Sequence, residues 1–115
     1  MASHLGEFEQ LVLFAVLRLS DDAYGLRIRQ EIETRTGRSV STGAIYTTLG
    51  RLESRGYVHS RVGESAPARG GRRRKYYRLL SAGAAALQNA YDHVQDMAAG
   101  VLAQLAVHAD GGDDE

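Results

Sequence analysis

Ser41-Thr42-Gly43-Ala44-Ile45-Tyr46-Thr47-Thr48-Leu49-Gly50-Arg51-Leu52-Glu53-Ser54-Arg55-Gly56 is the stretch on which the fold turns. Ser41 predicts a helix N-cap, because its side-chain oxygen can accept from an amide one turn further on. Val40 before the cap and Ile45 four positions into the helix form a hydrophobic staple. Ile45, Leu49 and Leu52 share one face at helical spacing, and Gly56 supplies the stop. The opposite face holds Gly43, Thr47, Gly50 and Ser54, flanked by Tyr46 and Arg51. Each of those glycines costs about 1 kcal/mol of helix stability relative to alanine. On an outward face they let a phosphate or a base edge approach the backbone closely; contact with another protein segment is the alternative reading.

Two strand-like runs follow, Tyr57 to Val62 and Arg74 to Leu79, separated by Gly63 to Arg73 with Pro67, Gly70 and Gly71. That pattern predicts a hairpin with a long, mobile tip. In the second run Tyr77 and Leu79 face the helices while Tyr76 and Arg78 face away. Upstream, Gly6 to Leu19 predicts a first helix that is apolar almost all round, through Phe8, Leu11, Val12, Leu13, Phe14, Ala15, Val16 and Leu17. A helix apolar on several faces must be covered on several faces, so a second subunit is expected to cover part of it. Ser20-Asp21-Asp22 offers caps for a second helix, Tyr24 to Thr36, with Ile28 and Ile32 inward and Gly37 as its stop.

Downstream, Ser81 is read as the cap of a final helix running to about Val107. Ala84, Leu87, Tyr91, Val94, Ala98, Val101 and Leu105 step alternately by three and four, the spacing of a helix–helix seam. Asp110 to Glu115 reads as a disordered acidic end. The fold class is therefore mainly α with a small two-stranded β-wing: a winged helix-turn-helix over residues 5–80, a dimerisation helix over 81–107 and a disordered acidic tail over 108–115.

Charge points the same way. Residues 35 to 78 hold eleven basic side chains against Glu53 and Glu64, a net charge of +9, while the remainder carries three arginines against twelve acids. The formal total of zero hides a middle third prepared for a polyanion. The densest part is Arg69-Gly70-Gly71-Arg72-Arg73-Arg74-Lys75-Tyr76-Tyr77-Arg78, whose arginines outnumber the local acids and suit phosphates or a narrow minor groove. The candidate DNA-binding set is Ser41, Thr42, Gly43, Tyr46, Thr47, Gly50, Arg51, Arg72, Arg73, Arg74 and Lys75. Thr42 and Thr47 can bond phosphate or touch a thymine methyl, and Arg51 can reach phosphate or guanine.

Other classes find little support. The 115 residues suit one domain without cysteine, compatible with a reducing cytoplasm. The longest apolar run, Leu11 to Leu17, is far short of the roughly 20 residues that span a bilayer. No secretory signal pattern is visible, so a cytoplasmic location is expected. His4, His59, His93 and His108 lack metal-ligand spacing, and neither a phosphate-binding loop nor a nucleophile elbow is present. No enzyme activity, cofactor or metal is expected.

Tyr24-Gly25, the run Gly43 to Val58, and Gly71 with Arg74-Lys75-Tyr76-Tyr77-Arg78-Leu79 and Gly83 together resemble the PadR family of bacterial transcriptional regulators, over about residues 5 to 107. The Arg-Lys-Tyr-Tyr element of the wing is the most family-specific part. The resemblance implies a homodimeric repressor that releases DNA on binding a small molecule, with Tyr46 and Lys75 on the DNA backbone. The single terminal helix is similar to the smaller subclass, which includes multidrug sensors with a flat apolar pocket at the dimer interface. This chain departs in having Thr47 where many members have proline, and no tryptophan to stack an aromatic drug.

The apolar surplus of the first helix and the terminal seam belong, on this reading, to one dimer interface: Leu11, Phe14, Leu87, Tyr91, Val94, Ala98, Val101 and Leu105. Phe8, Val12, Tyr91 and Met97, beside Val94 and Val101, are the candidate lining for a small hydrophobic or aromatic effector, with Tyr91 offering both ring and hydroxyl. Double-stranded DNA carrying an inverted repeat is the expected partner, with third helices about 34 Å apart. The rivals are a winged-helix module that docks a protein, and a non-specific architectural or RNA-binding domain.

Overall fold

The computed structural model describes residues 4–65 and 69–111. In chain order these form α1 (Glu7–Leu19), a 3-10 turn (Ser20–Asp22), α2 (Gly25–Thr36), α3 (Thr42–Ser54), β1 (Val58–Ser65), β2 (Arg73–Leu79), α4 (Ser81–Ala98) and α5 (Leu102–Ala109). The fold is a winged helix: three helices, an antiparallel hairpin, then a helical arm. The expected hairpin tip lies partly outside the described residues, which omit 66–68, as does the end of the acidic tail, 112–115.

α1 is the axis of the core. Its first amide-poor turn is closed by Gly6 N–H donating to Glu9 Oε1 at 2.9 Å, and Glu7 and Glu9 complement the positive helix end. Val12, Leu13, Ala15 and Val16 are buried, and α1 packs on α2, α3, α4 and β2 of its own chain. Leu11 and Phe14 stay half-buried, so part of the apolar surface of α1 is left uncovered by its own chain. α4 packs across one side of α1, and among the apolar residues of α1 only Leu17 is more than half exposed, at 57 %.

The turn into α2 differs from the sequence reading. Ser20, Asp21 and Asp22 form the 3-10 turn instead of capping, with Ser20 at φ 53°, and Tyr24 occupies the cap position without a side-chain cap bond. Asp22 instead meets Arg27 Nε at 3.4 Å. The segment is held by the sheet: Tyr77 N–H donates to Ala23 O at 2.8 Å, and Tyr24 makes a single antiparallel bridge to Tyr76.

Gly37 ends α2 at φ 73°, and Glu33 Oε2 accepts from the Val40 amide at 2.9 Å across the turn into α3. Ser41 caps α3 as expected, accepting from Ala44 N–H at 3.0 Å. Ile45, Leu49 and Leu52 are fully buried, and Thr48 joins them at 5 % exposure. Each such buried aliphatic side chain contributes about 1.5–3 kcal/mol.

β1 and β2 pair with Val58 opposite Leu79 and Arg61 opposite Tyr76, and the register slips between Val62 and Ser65. β1 is longer than expected because pairing resumes beyond that irregularity, at Ser65 with Arg73. Glu53 joins α3 to this hairpin, its Oε2 accepting from Ser60 Oγ at 2.7 Å and Ser60 N at 3.3 Å.

The terminal helix departs most. Ser81 is its first residue instead of its cap, Leu80 holding that position. Gly83 lies against the Tyr57 carbonyl, where a methyl group would collide. The helix does not run to Val107: Ala99 is extended, Gly100 sits at φ 82°, and α5 starts afresh at Leu102 and continues to Ala109. Glycine adopts that left-handed geometry without the penalty a Cβ imposes, so it interrupts a seam whose apolar spacing continues past it. Val101 and Leu105 therefore do not extend the α4 stripe along one straight axis. Helix also replaces the expected disorder at His108 and Ala109.

Glu33 and Glu53 both have pKa values lowered from the ordinary 4.5, chiefly by the Val40 amide and by the Ser60 hydroxyl respectively, with burial opposing each. A lowered folded-state pKa stabilises the fold above the unfolded value, and that stability is lost as pH falls through the window below it. Thermal melts should therefore show a midpoint insensitive to pH above about 4.5 and falling below it. Glu53→Gln should lose stability at neutral pH and show a shallower acid decline; an unchanged decline would remove Glu53 from the account.

Candidate nucleic-acid interface

The helix α3 presents Thr42, Gly43, Tyr46, Thr47, Gly50, Arg51 and Ser54 to solvent, opposite its buried stripe. The positions where Gly43 and Gly50 would carry a Cβ have nothing within 4 Å, so neither glycine serves contact within the chain. Tyr46 is 49 % exposed, yet its ring lies on α2, where any side chain at Gly25 would overlap it. That explains the glycine after Tyr24: α2 starts with a residue small enough to seat the aromatic ring of α3.

The positive block divides in two. Arg35 pairs with Glu31 at 2.6 Å, Arg38 with Glu7 at 2.8 Å, and Arg55 with Glu9 at 3.6 Å. Arg55 also donates to His4 O at 3.0 Å and covers the Tyr57 ring. These three pair with Glu31, Glu7 and Glu9 of α1 and α2 and leave the cationic surface. Among the described residues, Arg51, Arg72, Arg73, Lys75 and Arg78 make no ion pair with any carboxylate. Arg72, Arg73, Lys75 and Arg78 belong to the hairpin, and all four are exposed. The structure thus brings the uncompensated charge to the wing and the C-terminal half of α3, where solvent screening and not pairing is what limits it.

Arg69 and Arg74 have other occupations. Arg69 Nη2 donates to Glu64 O at 2.7 Å and Nε to Arg72 O at 3.2 Å, tying the two arms of the hairpin. The Arg74 guanidinium lies 3.9 Å from the Tyr24 ring centroid. Its pKa is raised, chiefly through its interaction with the Tyr76 side chain, with Asp22 also contributing and desolvation opposing. Arg61 was missed in the sequence; it lies over the other aromatic of the pair, 4.6 Å from the Tyr76 centroid. In the paired strands Arg61 stands opposite Tyr76.

The expected effector lining is not gathered within the chain. Val12 is fully buried in the core, Phe8 borders a hollow with Arg38, Ser39 and Ala44, and Met97 is 82 % exposed. Tyr91 packs edge-on against Phe14, centroids 6.3 Å apart, beside a separate groove with Leu17, Leu79 and Ala84. Among the expected interface residues Leu87 is likewise enclosed by its own chain, at 3 % exposure. It seals α4 against the core of its own chain. Leu11 and Phe14 are half-buried, as is Ala98. Tyr91, Val94, Val101 and Leu105 are exposed, at 44, 62, 42 and 61 %.

A capped helix with an open small-residue face, set beside an unpaired cationic hairpin, defines a DNA-binding regulator of the winged helix-turn-helix class. Residues 13–89 match the model of the PadR-like family of transcriptional regulators, and the chain belongs to that family, one of regulators and not of enzymes. A Lysinibacillus sphaericus protein of uncharacterised role is 33 % identical over 84 residues, covering 71 % of this chain and 72 % of its own. A PadR family regulator from Eggerthella lenta is similar in structure with TM-score 0.66 and 25 % identity, covering 86 % of each chain. A PadR-like transcription factor from Bacteroides fragilis has TM-score 0.68 at 23 % identity, covering 78 % of this chain and 82 % of its own. Among the described residues no helix is long and apolar enough to cross a membrane, and no cluster of metal-ligating side chains occurs.

Proposed function

We propose that this chain is a cytoplasmic homodimeric repressor that reads an inverted-repeat operator with α3 and grips its phosphates with the wing. The observation that carries the reading is the split of the basic residues, ion-paired on the α1–α2 side and without a salt bridge at Arg51, Arg72, Arg73 and Lys75. Gly43, Thr47 and Gly50 are the surface for base edges, and Ser41, Thr42, Tyr46 and Lys75 position the backbone. The apolar residues left in water along α4 and α5 support pairing with a second copy. An effector that binds one dimer geometry better than the other would change the separation of the two reading helices. Tyr91 suits such a site, its hydroxyl accepting from Gln95 Nε2 at 2.9 Å at the edge of the exposed arm.

The test is fluorescence anisotropy on the promoter fragment upstream of the gene itself against scrambled duplex, across a salt series. Binding should weaken with salt, and replacing both Arg73 and Lys75 by Ala should reduce the log–log slope of the bound dimer by about 3.6, some 0.9 for each of the four phosphates no longer neutralised. The variant should melt like the parent, since both side chains are exposed. Equal affinity for promoter and scrambled duplex would overturn the operator reading in favour of a non-specific binder, and no duplex binding would favour a protein-docking module.

A further inference from the structure

The wing is fastened to the helical body through one line of alternating cations and rings. Arg74 lies 3.9 Å over Tyr24, Tyr24 meets Tyr76 edge-on with centroids 5.5 Å apart, and Arg61 lies 4.6 Å over Tyr76. Tyr24 belongs to the residue pair that starts α2, and the other three side chains belong to the hairpin. Gly63 makes room for the arrangement, because a Cβ there would stand 2.6 Å from Tyr76 Cε1. Backbone bonds reinforce the joint where Tyr24 bridges Tyr76 and Tyr77 N–H reaches Ala23 O.

Strand alternation sorts the basic residues of β2 by task. Arg73 and Lys75 share the face of buried Tyr77, and Arg74 shares the face of Tyr76. Arg73 and Lys75 are exposed, whereas Arg74 is half-buried and already holds a ring. A guanidinium seated on an aromatic face gives up part of its hydration and its freedom to turn toward a phosphate.

From this placement we infer that Arg74 is a positioning residue of the wing and not a phosphate ligand: with Tyr24, Tyr76 and Arg61 it clamps the base of the hairpin onto the start of α2. The clamp sets where Arg72, Arg73 and Lys75 carry their charge. It replaces the earlier assignment of Arg74 to DNA contact, and it rests on the DNA-binding reading only for its consequence, since the clamp itself is a property of the free protein.

Two measurements on the full chain separate the alternatives. Amide hydrogen exchange without DNA should show residues 73–79 exchanging about threefold to tenfold faster in Tyr24→Ala and in Arg74→Gln, the scale of one ring–cation contact, and at the parent rate in Tyr24→Phe. Unchanged exchange in both variants would overturn the clamp. The salt slope is then measured on any duplex, operator or scrambled. Removing the uncharged Tyr24 ring should lower affinity and slope as Arg74→Gln does, and the double variant should lose no more than either single one. A slope that falls in Arg74→Gln but not in Tyr24→Ala, or losses that add, would make Arg74 a direct phosphate ligand. If the parent shows no operator preference while exchange accelerates as expected, the operator reading fails and the clamp stands.

Discussion

Gly50→Leu is expected to make the protein more stable and nearly unable to bind its operator. Gly43→Leu should behave alike. Both glycines are helical, exposed and face open space, so a larger side chain meets nothing in its own chain. Replacing glycine by leucine inside a helix raises helix stability by roughly 0.5–1 kcal/mol, and thermal melting should register the gain. The same side chain on the reading face holds the helix backbone away from the groove floor. The loss should be on the order of 100-fold at fixed salt, comparable with one or two wrong base pairs. Opposite signs in the two measurements make the pair decisive, because a merely structural glycine loses stability and binding together. Operator affinity held by a stabilised Gly50→Leu variant would remove α3 from the groove and favour the wing alone as the contact.

The same logic explains which parts of this protein can be read before its coordinates. The α3 prediction worked because cap, apolar stripe and stop are all local, each read from residues within the helix or directly beside it. The hairpin was readable for a similar reason, period-two alternation around Tyr77 with glycines between the strands, but Tyr76, expected to face away from the helices, packs edge-on against Tyr24 before α2. What failed depended on contacts distant in sequence. The start of α2 moved because the segment before it is held by β2, through Ala23 and Tyr24, and not by a local cap, and β1 lengthened because its pairing resumes at Ser65 with Arg73. Gly100 was outvoted by a heptad pattern that spans it, although one left-handed residue is enough to end a helix.

The candidate site divides along the same line. Charge density marked the wing, but only the fold shows that Glu31, Glu7 and Glu9 withdraw Arg35, Arg38 and Arg55 from it. The count of positive residues therefore overstated the cationic surface that the fold leaves free of salt bridges. Apolar periodicity alone could not separate core from interface. Leu87 and Val94 occupy the same stripe of α4, yet one is sealed by α1 and the other is 62 % exposed.

That contrast between Leu87 and Val94 underlies the second large effect. Replacing Val94 and Leu105 together by Glu should leave each chain folded and separate the proposed dimer. At 62 and 61 % exposure neither side chain supports the core, so each change should cost within about 0.5 kcal/mol of single-chain stability. Met97 and Leu102 nearby are 82 and 63 % exposed, and an apolar patch of this kind in water marks an association surface. Two negative charges per subunit, brought against their copies across a symmetric contact, oppose that association twice over. Sedimentation should show the parent at twice the mass of the variant. Linked reading heads gain affinity by about 10²–10⁴ over separate ones, so operator binding should fall by at least about 100-fold. Residual binding should follow a salt slope near half the parent value, because each subunit still neutralises its own phosphates. A parent that sediments as a single chain would dispose of the dimer at once, and a variant that keeps both mass and affinity would place the interface elsewhere on the molecule.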